Sequence, residues 1–449
     1  MWYGYKRSIK TIGQEEVQFG NSSCFFKENM KHYLSIIFCL SLSVYLVSCS
    51  ENVRKKKEIP NAQEKQEKIV TVEEVKVPTK AESSVSNLFV AKDGQVYLTW
   101  IETSENENST LYFSNLNENK WASPTQIDKG NNWIVNWADF PSLTQFGGNS
   151  LAVNYLVESD RETFAYGVNI VISNDNGKNW NKPFMPHTDG TKTEHGFVSL
   201  VPYGEDQFMA IWLDGRKYEA EQEPDEMTLR AVIIGEDGVL DREFVIDNRV
   251  CDCCATSATV TDDGIIVVYR DRSENEVRDI YSSTFKNGEW SEPNRIARDD
   301  WEISGCPVNG PAIEADGNNV AVAWYTAAKD NAKVKIAFSS DFGSTYTSAI
   351  MVNTTRTLGR VDVTYLNSKK VVVCWMEEEN DITYIKARSV NSDCSEIMGK
   401  PIVITQTEGS RSSGFPKMVK TGKDLVFSWT ESGESSAIKT AMVSLSVFE

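Results

Sequence analysis

Positive charge is scarce in this 449-residue chain. Lys and Arg number 46 against 64 Asp and Glu, a formal net charge of −18. That balance excludes nucleic acid as a partner, because a polyanion needs a basic face. The compact basic run at 54–57 reads as a solvated spacer. Strong helical periodicity is missing too, which excludes bundles and helical solenoids. The one marked apolar run near the start, 33–47, is too short and wrongly flanked for a spanning helix. The cysteines lack the ligand spacing of a zinc ribbon.

What the chain does hold is a repeated loop. Ser173-Asn174-Asp175-Asn176-Gly177-Lys178-Asn179-Trp180 reads S-x-D-x-G-x-x-W, and Ser339 to Tyr346 repeats it with Asp341, Gly343 and a terminal Tyr346. Each follows an apolar strand, at 168–172 and 334–338. The carboxylate suits turn amides, the glycine suits a left-handed residue, and the aromatic suits packing beneath the turn. Weaker copies run from Ser114 to Trp121 and from Ser283 to Trp290. A second signature recurs in step: a small or Gly/Pro-rich lead-in, a short strand, a turn, then an apolar strand ending in an aromatic. The lead-ins are Ser86-Asn87-Leu88, Asp139-Phe140-Pro141, Gly196-Phe197-Val198, Cys254-Ala255-Thr256, Cys306-Pro307-Val308, Arg360-Val361-Asp362 and Gly414-Phe415-Pro416. Seven units at a spacing of roughly 50–60 residues predict an all-β fold, a β-propeller of seven four-stranded blades, with six as the runner-up. The last unit is one strand short, and 69–77 is an orphan strand ahead of the first. Closure of the ring by that N-terminal strand is therefore expected.

The octamers resemble the Asp box of the sialidase/BNR-repeat superfamily, and the resemblance covers about 86–445. It implies a carbohydrate-active propeller with arginines on a substrate carboxylate, an Asp as acid/base and a Tyr–Glu nucleophile. Known sialidases have six blades. The family's Arg-Ile-Pro motif is missing here, with Arg161 the only arginine between the tether and the first octamer, and no tyrosine is assigned as nucleophile; Tyr325 is only at the right end of its strand.

Seven lead-in loops and the loops between second and third strands converge on one face of a propeller. They carry Asp139, Glu194, His195, Arg360 and Arg411, then Asp214 and Arg216, then Arg270, Asp271 and Arg272. Asp139, Asp271 and Glu194 are the catalytic candidates. Arg216, Arg270, Arg272, Arg360, Arg411, His195 and Asp214 are the substrate-binding ones, since guanidinium holds carboxylate bidentately. Solvated or paired charges at strand ends are the ordinary alternative for each. An acidic carbohydrate or glycoconjugate is the expected partner, no cofactor is expected, and the chain is expected to be a monomer. A glycan- or protein-binding propeller without catalysis is the alternative function.

The cysteines allow two readings. A disulfide from the 251–254 loop to Cys306 is the expected state in an exported protein. The alternative is a metal site of Cys251, Cys253, Cys254 and Cys306, with His195 or Asp139. Cys374 reads as a core residue, with a bond to Cys394 open.

At the start, 1–29 reads as an upstream start-site extension and 30–48 as a lipoprotein signal peptide. Lys31 and His32 precede the apolar run, and Leu46-Val47-Ser48-Cys49 resembles a lipobox. Cys49 would carry the lipid on an exported, membrane-anchored lipoprotein of the bacterial cell envelope. Residues 49–68 are too polar to bury a core and read as a tether, and 69–449 as the propeller.

Overall fold

The computed structural model describes residues 70–449 apart from 81, 161–164, 220–225, 394–396 and 398. The upstream extension, signal peptide, Cys49, tether, Ile69, Arg161 and Cys394 lie outside the described residues. The described chain is a seven-bladed β-propeller.

Blade 1 is Glu82–Val90, Val96–Thr103 and Ser109–Asn117, with Lys120–Trp121 and Thr125–Gly130 both on its outer edge. Blade 2 is Leu143–Phe146, Ser150–Asp160 and Ala165–Ser173; its fourth strand shrinks to one bridge between Ile170 and Phe184. Blade 3 is His195–Tyr203, Gln207–Asp214, Met227–Gly235 and Leu240–Val250. Blade 4 is Ser257–Val260, Ile265–Arg270 and Ile280–Lys286, edged by Glu289–Trp290 and Asn294–Arg295. Blade 5 is Ala312–Asp316, Asn319–Thr326, Lys333–Ser339 and Ile350–Met351. Blade 6 is Arg356–Asn367, Lys370–Glu379, Ile382–Asn391 and Ile402–Thr407. Blade 7 is Lys417–Thr421, Asp424–Glu431, Ala437–Ser444 and, from the other end of the chain, Val72–Glu74.

That last pairing closes the ring in register Val72 with Val443, Glu73 with Met442 and Glu74 with Ala441. The pairing segment is three residues long, shorter than 69–77. Val75 still donates its N–H to the Thr440 carbonyl at 2.9 Å, and Val75 and Val77 bury their side chains in the seam between blades 7 and 1. Trp121 of blade 1 reaches over the seam and donates its indole N–H to Thr440 Oγ1 at 2.8 Å.

The second strands explain themselves physically. Each packs one face on the blade before and the other on the blade after, so it reads as a continuous apolar run, like a strand buried on both sides. Residues 265–269 and 371–376 are buried throughout. Among the described residues seven buried apolar clusters form, one for each blade interface, including the 7–1 seam.

The two octamer loops join third to fourth strands and are superposable in their bonding. Ser173 Oγ donates to Asp175 Oδ1 at 2.8 Å and accepts the Gly177 N–H at 2.8 Å; Asp175 accepts the Asn179 N–H at 2.9 Å. Ser339, Asp341, Gly343 and Thr345 repeat this at 2.7, 2.9 and 2.9 Å. Gly177 has φ +81°, and a Cβ there would lie 2.4 Å from Phe113 Cζ. Only glycine fits, because the turn seats against the ring of blade 1. Trp180 meets the same ring edge-on. Tyr346 donates to Ser282 Oγ across the interface of blades 4 and 5 at 2.9 Å.

Candidate functional site

The lead-in face is built by a repeated distortion. The innermost strands of blades 1, 3 and 6 slip register as they begin. A left-handed residue sits at this point in five lead-ins: Val85, Phe197, Val308, Arg360 and Gly414. Four of these carry a side chain, a conformation that needs surrounding structure to hold it. The bulges re-aim side chains toward the centre. Phe197, Ala138 and Phe415 share one apolar cluster, with Trp137, Phe140 and Val308 packed against it. Trp137 stacks on Phe415 at 5.8 Å. The middle of this face is therefore filled by side chains. The sequence signal for this plug was Phe140, Phe197 and Phe415 at the same place in three lead-ins.

Beside the plug lies the acidic centre. Asp139 is buried, and its Oδ2 accepts the Phe197 N–H at 2.7 Å. Burial pushes its carboxyl up to about 7 against the pull of that N–H. A Cβ on Gly196 would stand 2.4 Å from Asp139 Oδ2 and 3.0 Å from Tyr166 Cε2, so the missing side chain is what lets the carboxyl and the ring close over the same spot. Tyr166 pairs with Glu194 in a parallel bridge. Burial, then the charges of Glu194 and Asp139, hold the Tyr166 hydroxyl well above the ordinary range. Sequence reading placed Asp139 and Glu194 on this face and did not single out Tyr166, the second residue of the strand Ala165–Ser173.

His195 is drawn into a different, closed network. Its ring stacks on His187 at 4.0 Å. Its Nδ1 lies 3.2 Å from the Thr193 carbonyl, and its Nε2 lies 3.2 Å from Asp189 and 3.6 Å from Asp214. Burial lowers the His195 pKa, but the hydrogen bond to Asp189 and the charge of Asp214 win, and the net shift is upward. His187 moves the other way, because burial outweighs the hydrogen bond to Asp189; its Nε2 accepts the Val168 N–H at 3.2 Å. Asp214 is fully buried; it binds the Arg216 Nε and Nη2 at 2.7 Å each. Arg216 also reaches Glu243 at 3.0 Å and Asp189 at 3.4 Å. His187, Asp189 and His195 are close enough to share a cation, but the neighbouring guanidinium and the Val168 N–H already occupy that role.

The other arginines separate. Arg270 spends its guanidinium on the carbonyls of Asn309 at 2.8 Å, Tyr325 at 2.8 Å and Arg278 at 2.7 Å, stacked on Trp301, and so staples blade 4 to blade 5. Arg272 holds Glu276 at 3.0 and 2.8 Å. Arg360 differs. Its Nη1 donates to the Ser410 and Gly414 carbonyls at 2.9 and 3.0 Å, its guanidinium covers Trp137, and among the described residues no carboxylate forms an ion pair with it. Burial, then the charge of Arg411, lowers it to about 10. Asp271 is pushed up to about 7 by burial and by Asp247. The structure thus brings Asp139 and Tyr166 together at Gly196, with Glu194 bridged to Tyr166 through the backbone, and the charge of Arg411 acts on Arg360. It leaves Arg216, Arg270 and Arg272 in separate bonded groups.

The cysteine expectation is corrected. Cys251, Cys253, Cys254, Cys306 and Cys374 are free thiols. The Cys251 sulfur lies 3.7 Å from Cys253 and 3.6 Å from Cys254, far beyond the roughly 2.05 Å of a disulfide. The loop curls its three sulfurs together, and Cys253 comes near Cys306 without bonding to it. Cys374 is buried in the core between blades 6 and 7.

No protein-family profile and no curated protein matches the chain. Solved structures do. A protein of unknown function from Dyadobacter fermentans shares 15% identity over 84% of this chain and 99% of its own, with a TM-score of 0.50. An ulvan lyase of polysaccharide lyase family 25 shares 12% over 82% and 96%, with a TM-score of 0.52. A sialidase from Streptococcus pneumoniae shares 7% over 84% and 95%, with a TM-score of 0.45. At such identities the likeness to the first two is one of fold.

Proposed function

We propose that this propeller binds acidic glycans on its lead-in face and hydrolyses them there. The observation that carries the reading is the approach of Asp139 and Tyr166 over Gly196, with Glu194 bridged to Tyr166 through the backbone and acting on it through its charge. The sialidase resemblance implies these three group types. An Asp protonated near neutrality donates to the leaving glycosidic oxygen. Tyr166 Oη attacks the anomeric carbon as Glu194 takes its proton, since a phenol with a raised pKa needs an adjacent base. The glycosidic bond breaks as the bond to Oη forms; water then releases the sugar. Arg360, a buried cation held by carbonyls and flanked by Arg411, suits the substrate carboxylate.

A panel of sialosides and uronate-containing polysaccharides tests this. Hydrolysis should release reducing sugar, and Asp139→Asn and Tyr166→Phe should each abolish turnover while Arg360→Ala weakens binding. Unsaturated products would replace hydrolysis with elimination, the kind of reaction that the name of the ulvan lyase implies. The plug of Trp137, Phe140, Phe197, Val308 and Phe415 favours a second reading, a non-catalytic glycan or protein receptor. Binding with no turnover across the panel would select it. Export and lipid anchoring at Cys49 are part of the same proposal and are supported by the sequence at 46–49.

A further inference from the structure

The loop from Leu240–Val250 to Ser257–Val260 and the segment before Ala312–Asp316 bring sulfur together on the lead-in face. Cys251, Cys253 and Cys254 lie mutually within 4.8 Å. Cys306, from the next blade's lead-in, lies in a second such group with Cys253 and Asp252. We infer that these four thiols bind one thiophilic d10 cation, of the zinc(II) or copper(I) class, with buried Cys251 and Cys254 and half-buried Cys253 as three donors and Cys306 closing the fourth position.

Geometry supports this first. Tetrahedral thiolates at about 2.3 Å from a metal stand about 3.8 Å apart; the measured separations from Cys251 are 3.6 and 3.7 Å. The surroundings support it independently. Arg278 Nη1 donates to Cys251 Sγ at 3.2 Å, and the Asn309 N–H donates to Cys254 Sγ at 3.4 Å. N–H donors aimed at sulfur favour thiolate, the ligating form, and are what outer-shell partners of metal-bound sulfur supply. Arg278 is itself fixed by Glu276 at 2.8 Å and Asp252 at 3.5 Å. Arg278 shares its single positive charge with Glu276 and Asp252, so it does not neutralise the thiolates, and a bound cation would. The proposed glycan chemistry uses none of these sulfurs, so the inference stands apart from that reading.

The ion would tie the lead-in loops of blades 4 and 5. Its test uses the full chain purified anaerobically with reductant. Metal content by mass spectrometry, and separate zinc(II) and copper(I) titrations against a chromophoric chelator, should give one equivalent bound for one of the two ions. Cobalt(II) substitution should show the intense sulfur-to-metal bands of a thiolate site. Cys254→Ser and Cys251→Ser should abolish binding. Cys306→Ser should weaken it at least tenfold, and Cys374→Ser should leave it unchanged. Should the buried variants misfold, Cys253→Ser and Cys306→Ser still read out affinity. The inference falls if neither ion binds the reduced protein, if Cys306→Ser and Cys253→Ser leave affinity unaltered, or if thiol counting finds 251 and 254 joined as a disulfide in protein that retains no metal.

Discussion

The indole of Trp212 donates to Asp214 Oδ2, two residues along the same strand, at 2.8 Å. Trp100 with Glu102 at 3.2 Å and Trp375 with Glu377 at 2.6 Å repeat the relation in blades 1 and 6. Blade 5 achieves it from a neighbour, with Trp324 donating to Asp299 at 2.7 Å. The four indoles are fully buried, and each needs an acceptor for its N–H. The acid at the strand end is thus part of how a large aromatic is buried between blades.

Asp214→Ala should therefore destabilise the fold. It leaves the Trp212 indole, Arg216 and His195 without their shared acceptor, and removing one partner of a buried pair costs about 3–5 kcal/mol. Urea unfolding measures it. Stability equal to wild type would mean that Asp214 is not the hub of this network.

Asp139 gives a pH signature. Its folded pKa, about 7, lies above the ordinary 3.8. Between these values the folded chain holds a proton that the unfolded chain has lost. The Asp139 contribution is thus complete below about pH 4, declines toward pH 7 and is flat above, with an upper size of about 4 kcal/mol. Asp271, raised to about 7, and Glu314, raised to about 8 by burial and Asp362, act with the same sign. Melting temperature against pH should fall less steeply between pH 4 and 7 for Asp139→Asn than for wild type. Parallel curves would remove the raised pKa.

Asp175→Ala and Asp341→Ala should lower the melting temperature and leave glycan affinity alone, because both carboxylates only close their own turns. Gly177→Ala should be worse than Asp175→Ala, since it adds strain at φ +81° and a clash with Phe113. Lost binding at unchanged melting would place these loops in the site.

Cys49→Ser should release the protein from membranes or block its processing, if Cys49 carries the lipid. Intact mass of the native protein with an unmodified Cys49 would end the idea.

Blade number, strand order and ring closure were legible in the sequence. They depend on local facts: apolar runs of strand length, turn residues between them, and a missing last strand matched by a spare first one. The octamer turns were legible for the same reason, as serine, aspartate and glycine bond within eight residues. Arg216 and Arg272 were expected on the substrate; the structure pairs them instead with Asp214 and Glu276, two and four residues away in the chain. Tyr166 was not readable. It lies in an apolar run of blade 2 and meets Glu194 and Asp139 only because the ring sets blades 2 and 3 side by side and Gly196 removes the side chain between them. The aromatic plug and the three-sulfur cluster are of the same kind: composition places the residues on one face, and the bulged lead-ins and loop curvature decide which atoms touch.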